Sequence, residues 1–336
     1  MTSPACDDAI AAPRRERVSL VRATIPFARE QVWRSWWHLI STTVILAGLV
    51  GAAAAPLEWW ARLSAGILAG LLLCRLFIIY HDFQHKAILR GSRIARQFMK
   101  LFGLLCLNPI SAWNRSHDYH HRHTAELMAA SHGSFPVLTV AAYAEATRWE
   151  RLVYNVERHP LTLLLGYGTV FLFSMCLLPL LASPRRHLDC GAALLLHGGL
   201  IAILAVFTPW ALLFAMMLPM FISAALGSYL FYVQHNFPDV DLRDRSEWDY
   251  VFAALHSSSY LDAGPMMHWF TGNIGYHHIH HLNARIPFYR LRETMAAIEE
   301  LQSPATTSLR IPEIYRCLRL KLWCPNRQCM VRSAAG

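Results

Sequence analysis

The stretch LSAGILAGLLLCRLFIIYHDFQH, residues 63–85, joins a mostly apolar run to two histidines four residues apart. Roughly 18 apolar residues suffice to carry a helix across the hydrocarbon core. Backbone groups in lipid must satisfy one another internally, so a helix is the expected form. One further helical turn sets His81 and His85 on the same face, within reach of a single ion. The segment therefore predicts a membrane-spanning fold with a metal site at the end of a span.

The rest of the chain agrees with that start. Of its 336 residues, 54% are hydrophobic and only 16% charged, where a soluble protein carries about a quarter charged. Comparable apolar runs occupy residues 39–55, 189–207 and 210–233. The formal charge of +9 does not call for a nucleic-acid partner, because basic residues such as Arg14, Arg15, Arg17 and Arg22 gather beside apolar runs. That placement fits orientation in a bilayer. Residues 27–37, FAREQVWRSWW, mix arginines with Phe27, Trp33, Trp36 and Trp37 and predict an interfacial helix. Residues 1–36 lack the continuous apolar region of a cleavable leader, so none is expected. Eight cysteines lie at 6, 74, 106, 176, 190, 317, 324 and 329, several inside apolar runs, and imply no disulfide framework. Cys324 and Cys329 lack the spacing and the nearby histidine pair of a metal site.

Histidines organise the chain. Three clusters, HDFQH at 81–85, HDYHHRH at 117–123 and HHIHH at 277–281, are joined by a single residue, His235, in YVQHNF. His117, His120 and His121 follow an HxxHH spacing, and so do His277, His280 and His281. Nine of the 18 histidines are thus candidate ligands. A lone histidine is usually a hydrogen-bonded structural residue, but three clusters in chelating register are not explained that way. Nine imidazoles exceed what one ion can use and point to two metals. Imidazole suits several transition metals. A site where spanning helices emerge has acyl chains as its natural substrate, and unactivated methylenes demand dioxygen chemistry at a redox metal, for which iron is the plausible choice.

A shared site requires all three clusters on one side of the membrane. Residues 39–55 cross once, and 63–80 return to deliver His81; the stretch 101–110 is too short to span and is expected to lie at the interface or re-enter. Of the three apolar runs between 161 and 233, one must not span. Residues 161–182 are the candidate, since they contain Pro179 and run into SPRRH at 183–187, whose Arg185 and Arg186 favour the cytoplasm. No repeat or composition shift marks a second domain. The expected division is an N-terminal cytoplasmic or interfacial segment at 1–37, a membrane domain at 38–300 and a C-terminal cytoplasmic tail at 301–336.

HDFQH, HDYHH and HHIHH, in this order and at these separations, resemble the three histidine boxes of the membrane fatty acid desaturases and related hydroxylases. WFTGNIGYHHIHHLNARIPFYRL resembles the third-box region of bacterial acyl-lipid desaturases of the omega-6 type, and FYVQHNF the segment carrying an additional histidine. The likeness runs over roughly residues 40–300. It implies an all-α integral membrane protein: four transmembrane helices, interfacial or re-entrant helices, and a cytoplasmic cap with a histidine-rich di-iron site. By resemblance, His81, His85, His117, His120, His121, His235, His277, His280 and His281 hold two non-haem irons. His123 and His278 are surplus to the pattern and are read as supporting residues. No catalytic residue beyond the ligands is implied.

Ligating imidazoles commonly donate their second nitrogen's proton to a carboxylate or carbonyl. Asp82, Asp118, Glu126 and Asp262 are the nearest acids, and Asn273 is either polar support or a helix cap. The implied partners are membrane lipids, dioxygen and a fatty acyl substrate linked to lipid, coenzyme A or a carrier protein. Haem motifs, nucleotide loops and ferredoxin-like cysteine clusters are lacking, so electrons must come from an external donor such as a ferredoxin or b-type cytochrome. Arg285, Arg290 and Arg292 are candidates for docking it. The bacterial inner membrane is the expected location, with the histidines on the cytoplasmic side. A hydroxylase, ketolase or acetylenase of the same site type is the alternative. A metal transporter or storage protein would need ionisable residues along the spans, which carry almost none.

Overall fold

The computed structural model describes residues 14–127 and 135–332. After a short helix α1 (Arg14–Thr24), two helices long and apolar enough to cross a membrane follow, α2 (Val32–Ala54) and α3 (Trp59–Gln84). The second such pair is α10 (Leu188–Phe207) and α11 (Pro209–Val233). Between the pairs lie α4 (Arg93–Leu105), α5 (Ile110–Arg122), α6 (Val140–Glu145), α7 (Arg148–Glu157), α8 (Pro160–Leu164) and α9 (Tyr167–Ala182). Among the described residues the apolar helix α9 falls short of a span, as the topology argument required.

The central helix is α3, buried along most of its length from Ala65 to Asp82. Small residues let it approach α11: a Cβ added at Gly70 would stand 2.8 Å from the Cβ of Ile222, the close contact that glycines permit between spanning helices. The amphipathic α4 buries Ala95, Met99, Phe102 and Gly103 at helical spacing. Its N-terminus is capped by the Ser92 hydroxyl, which accepts from the Ala95 N–H at 3.1 Å. At thirteen residues it is about 20 Å long, too short to span.

Residues 27–37 differ from the interfacial helix expected of them. Ile25–Ala28 form a single 3-10 turn, Arg29 and Gln31 are extended, and α2 begins at Val32. Trp33, Trp36 and Trp37 thus belong to the first turns of span one, with Trp33 and Trp37 exposed where a headgroup layer would meet them. The break is held by Tyr289, whose hydroxyl accepts from the Gln31 N–H at 3.0 Å.

Beyond α11 the chain builds a cap of short elements: α12 (Tyr250–His256), α13 (Gly264–Phe270), α14 (His277–Leu282), α15 (Leu291–Ala297) and α16 (Ile311–Arg319). Two small pairings complete it. Strand β1 (Tyr260–Asp262) pairs in parallel with β2 (Thr306–Ser308), and β3 (Leu322–Cys324) pairs antiparallel with β4 (Cys329–Val331). Residues 301–332 contribute Leu301, Cys317, Trp323 and Met330 to buried clusters. Arg158, fully buried, ties this end down by donating to the Leu320 carbonyl at 3.4 Å as well as to the carbonyls of Phe135 and Pro136 and to Asn236 at the exit of α11.

Candidate metal centre

Each histidine cluster arrives on a different element. His81 lies in the last turn of α3 and His85 caps it. His117, His120 and His121 ride on α5, His235 follows the end of α11, and His277, His280 and His281 form α14. Their Nε2 atoms converge in two groups. In the first, His85 stands 3.2 Å from His81 and 2.9 Å from His117, His121 is 3.1 Å from His117, and His280 is 3.2 Å from His121. In the second, His277 is 3.0 Å from both His235 and His281, and His120 is 3.2 Å from His281.

These separations are those of ligands around an ion. Two imidazole nitrogens bound at right angles, each ~2.1 Å from a metal, stand ~3.0 Å apart. Hydrogen bonding alone does not account for the pattern, because each imidazole nitrogen makes one hydrogen bond while the Nε2 atoms of His81, His85 and His117 all lie within 3.2 Å of one another. All nine are buried except the partly buried His85. Burial, reinforced by neighbouring imidazoles, holds His85, His117, His120, His121, His277, His280 and His281 well below the usual imidazole range. His235 is brought down to about 4 by burial. The rings are therefore neutral near pH 7 with a lone pair free, the form a metal needs.

The second ring nitrogens are held in three ways. Asp82 Oδ1 lies 3.3 Å from His81 Nδ1 while its Oδ2 accepts from the Phe288 N–H at 2.7 Å. The Ser257 carbonyl stands 2.9 Å from His235 Nδ1, so that nitrogen donates and Nε2 is left as the ligand. Thr124 Oγ1 donates to the His120 carbonyl at 2.7 Å and lies 3.0 Å from His281 Nδ1. Trp113 stacks on His117 with ring centroids 4.6 Å apart.

Of the five polar residues singled out as supports, only Asp82 touches a clustered histidine. Asp118 is exposed, one residue and some 100° of helix rotation away from His117. Glu126 lies 3.0 Å from His123, outside both groups. Asp262 is exposed in β1. Asn273 donates to the Phe288 carbonyl at 3.2 Å, supporting the loop that Asp82 also holds and capping no helix with its side chain. The surplus His278 faces the Leu301 carbonyl at 3.2 Å. His256 stacks on Phe252 and His268 on Tyr260, apart from both groups. Thr124 and Ser257 were not legible as supports, because nothing in their local sequence announces a partner 157 or 22 residues away, whereas Trp113 stands four residues before His117 on one helix, a spacing that could have found it.

Two cavities lie within the helix bundle. One of about 490 Å³ lies among α2, α3, α4, α10 and α11 and is almost wholly apolar. A narrow one of about 20 Å³ shares Leu73, Phe102, Cys106 and Met220 with it and reaches Phe77. Phe77 meets Trp113 edge-on at 5.1 Å, and Trp113 covers His117.

The sequence profile described as fatty acid desaturase matches residues 57–310. A protein named fatty acid desaturase from Bacillus subtilis is 31% identical over 308 residues, covering 90% of this chain and 87% of the relative. An sn-1 oleoyl-lipid 12-desaturase from a Picosynechococcus species is 23% identical over 270 residues, with 80% and 77% covered. A chloroplastic omega-6 fatty acid desaturase from Brassica napus is 24% identical over 282 residues, with 80% and 60% covered.

Proposed function

The chain belongs to the fatty acid desaturase family, and from that premise we propose how its own residues serve the reaction. It is an oxidoreductase that introduces a double bond into a fatty acyl chain with dioxygen. In our reading one iron belongs to His81, His85, His117, His121 and His280, and a second to His120, His235, His277 and His281. The convergence of these nine nitrogens is the observation that carries the assignment. Iron supplies the one-electron and dioxygen chemistry that unactivated methylenes require. Overall, two hydrogens from neighbouring methylenes, two external electrons and two protons reduce dioxygen to two waters.

The protein's part is to position and to exclude. Asp82, Thr124 and the Ser257 carbonyl fix the orientation of His81, His281 and His235, the supporting role that commonly sets metal affinity. The apolar cavity takes the methyl end of the acyl chain, and the neck at Phe77 and Ala224 threads it toward Trp113. Trp113, Phe77 and Phe231 wall His117 with aromatic rings and keep bulk water from the reacting carbons. The acyl group arrives on lipid, coenzyme A or a carrier protein.

Electrons come from a ferredoxin or b-type cytochrome docking on the cap, where Arg285 and Arg292 are exposed. We leave Arg290 out of that surface, since it pairs with Glu293 at 2.8 Å and donates to the carbonyls of Pro26 and Arg29. We place the chain in the bacterial inner membrane with the histidines facing the cytoplasm, supported by Arg22, Arg29, Arg34, Arg185 and Arg186 near that end of the spans. Expression in a host of known lipid composition, followed by mass spectrometry of its fatty acids, is the test. New double bonds are expected; hydroxy or keto products without them would replace this reading with that of a hydroxylase or ketolase.

A further inference from the structure

On the face of α5 turned away from the metal groups, a cavity of about 380 Å³ opens between α5, α9 and the loop before α10. Arg115, Ser116, Ser183 and His187 supply its polar wall, and Met175 and Pro179 its apolar one. It shares no lining residue with the two cavities assigned to the acyl chain.

Its rim is basic. Arg115 and Arg186 are both exposed, and among the described residues neither has a carboxylate within ion-pair reach. Two acids stand near it: Asp118, exposed three residues along α5 from Arg115, and Asp189, which accepts from the Ser111 N–H at 2.9 Å and the Ser111 hydroxyl at 2.5 Å. That hydroxyl also meets His187 Nδ1 at 2.7 Å, which closes the His187, Asp189 and Cys190 cluster on itself. The His187 ring is held below the usual imidazole range by burial, with Asp189 opposing and Arg186 and Arg115 adding to it, so both cations bear on the cavity wall.

The surroundings have the profile of a lipid. His187 immediately precedes the span α10, which sets the cavity at the membrane boundary. Pro179 and Ala182 face into it while their neighbours Leu178 and Leu181, and Leu188 at the start of α10, are exposed on the bilayer side. A basic cleft thus adjoins an apolar, lipid-facing surface, matching a phosphate headgroup with its tails attached.

We propose that the cavity of Arg115, Ser183 and His187 binds the headgroup of an anionic phospholipid, at a site separate from the acyl path. A lipid seated there presses on the back of the helix that carries His117, His120 and His121. The test uses the purified full-length protein in detergent, titrated with phosphatidylglycerol or phosphatidylcholine and read as retained lipid by native mass spectrometry. Wild type is expected to prefer phosphatidylglycerol. The R115Q/R186Q double variant should lose that preference by on the order of tenfold or more, with unchanged metal content and melting temperature. S183W, which fills the cavity without altering charge, should lower retention of phosphatidylglycerol likewise. Undiminished phosphatidylglycerol binding in both variants overturns the proposal. So does displacement of the lipid by millimolar inorganic phosphate, which would mark a site for a water-soluble phosphate instead.

Discussion

The two histidine groups share two of their three elements yet differ in number and support. Five nitrogens converge in one and four in the other. Both draw on α5 and α14, and each HxxHH motif divides between them in the opposite sense. His117 and His121, four residues apart, go to the larger group and His120 to the smaller; His277 and His281 go to the smaller and His280 to the larger. Residues i and i+4 share a helix face while i+3 stands about 60° to the other side, so one such motif serves two centres. Support differs as well. The larger group is braced by the Asp82 carboxylate, the smaller by a carbonyl and a hydroxyl. A carboxylate partner makes a ligating imidazole more basic, so the larger group should hold its metal more firmly.

Removing a ligand should have the largest effect. His280→Ala is expected to abolish product while leaving membrane insertion intact, as read by fatty acid analysis beside a membrane fractionation. Normal turnover would dissolve the larger group as a metal centre. His235→Ala strikes the smaller group alone: the purified variant should lose iron and activity, whereas His256→Ala, whose ring stacks on Phe252 outside both groups, should keep its iron. Full iron content and desaturation in His235→Ala would reduce the ligand set to the eight box histidines.

Loss of support is expected to matter less and unequally. Asp82→Asn should weaken metal retention about 10- to 100-fold, and Thr124→Val by less, in a chelator titration of the purified protein. Equal sensitivity would erase the proposed distinction between the groups. The smallest effect concerns substrate choice. Ala224 is buried and lines the neck, so Ala224→Leu should shorten the preferred acyl chain while leaving iron bound. Gly70→Ala should instead lower expression or thermal stability, because its added Cβ meets Ile222. A changed chain-length profile from Gly70→Ala at normal stability would move the acyl path to that helix pair.

That last contrast marks where sequence reading stops. Gly70 and Ala224 are both small residues in spans and look alike in the sequence; packing separates them, since Gly70 sits against α11 while Ala224 lines the narrow cavity. Asp82, Asp118, Glu126 and Asp262 were likewise equal as acids close to boxes. Only Asp82 turns inward, because the Phe288 loop folds over the end of α3 and its N–H meets the carboxylate. Arg285, Arg290 and Arg292 read as one basic patch, but Arg290 is spent on the carbonyls of the N-terminal break.

By itself, the sequence determined the membrane class, the four spans, the short helix that could not be a fifth, and the histidines worth watching. Hydrophobic length and helical spacing are local properties, set by bilayer thickness and by 3.6 residues per turn. The partition of nine histidines into five and four, the choice of Asp82, Thr124 and the Ser257 carbonyl as supports, and the seating of Arg290 belong to the tertiary structure. Each joins residues far apart in the chain, and their meeting is decided by how α3, α5, α11 and α14 pack, a long-range outcome that no local pattern encodes.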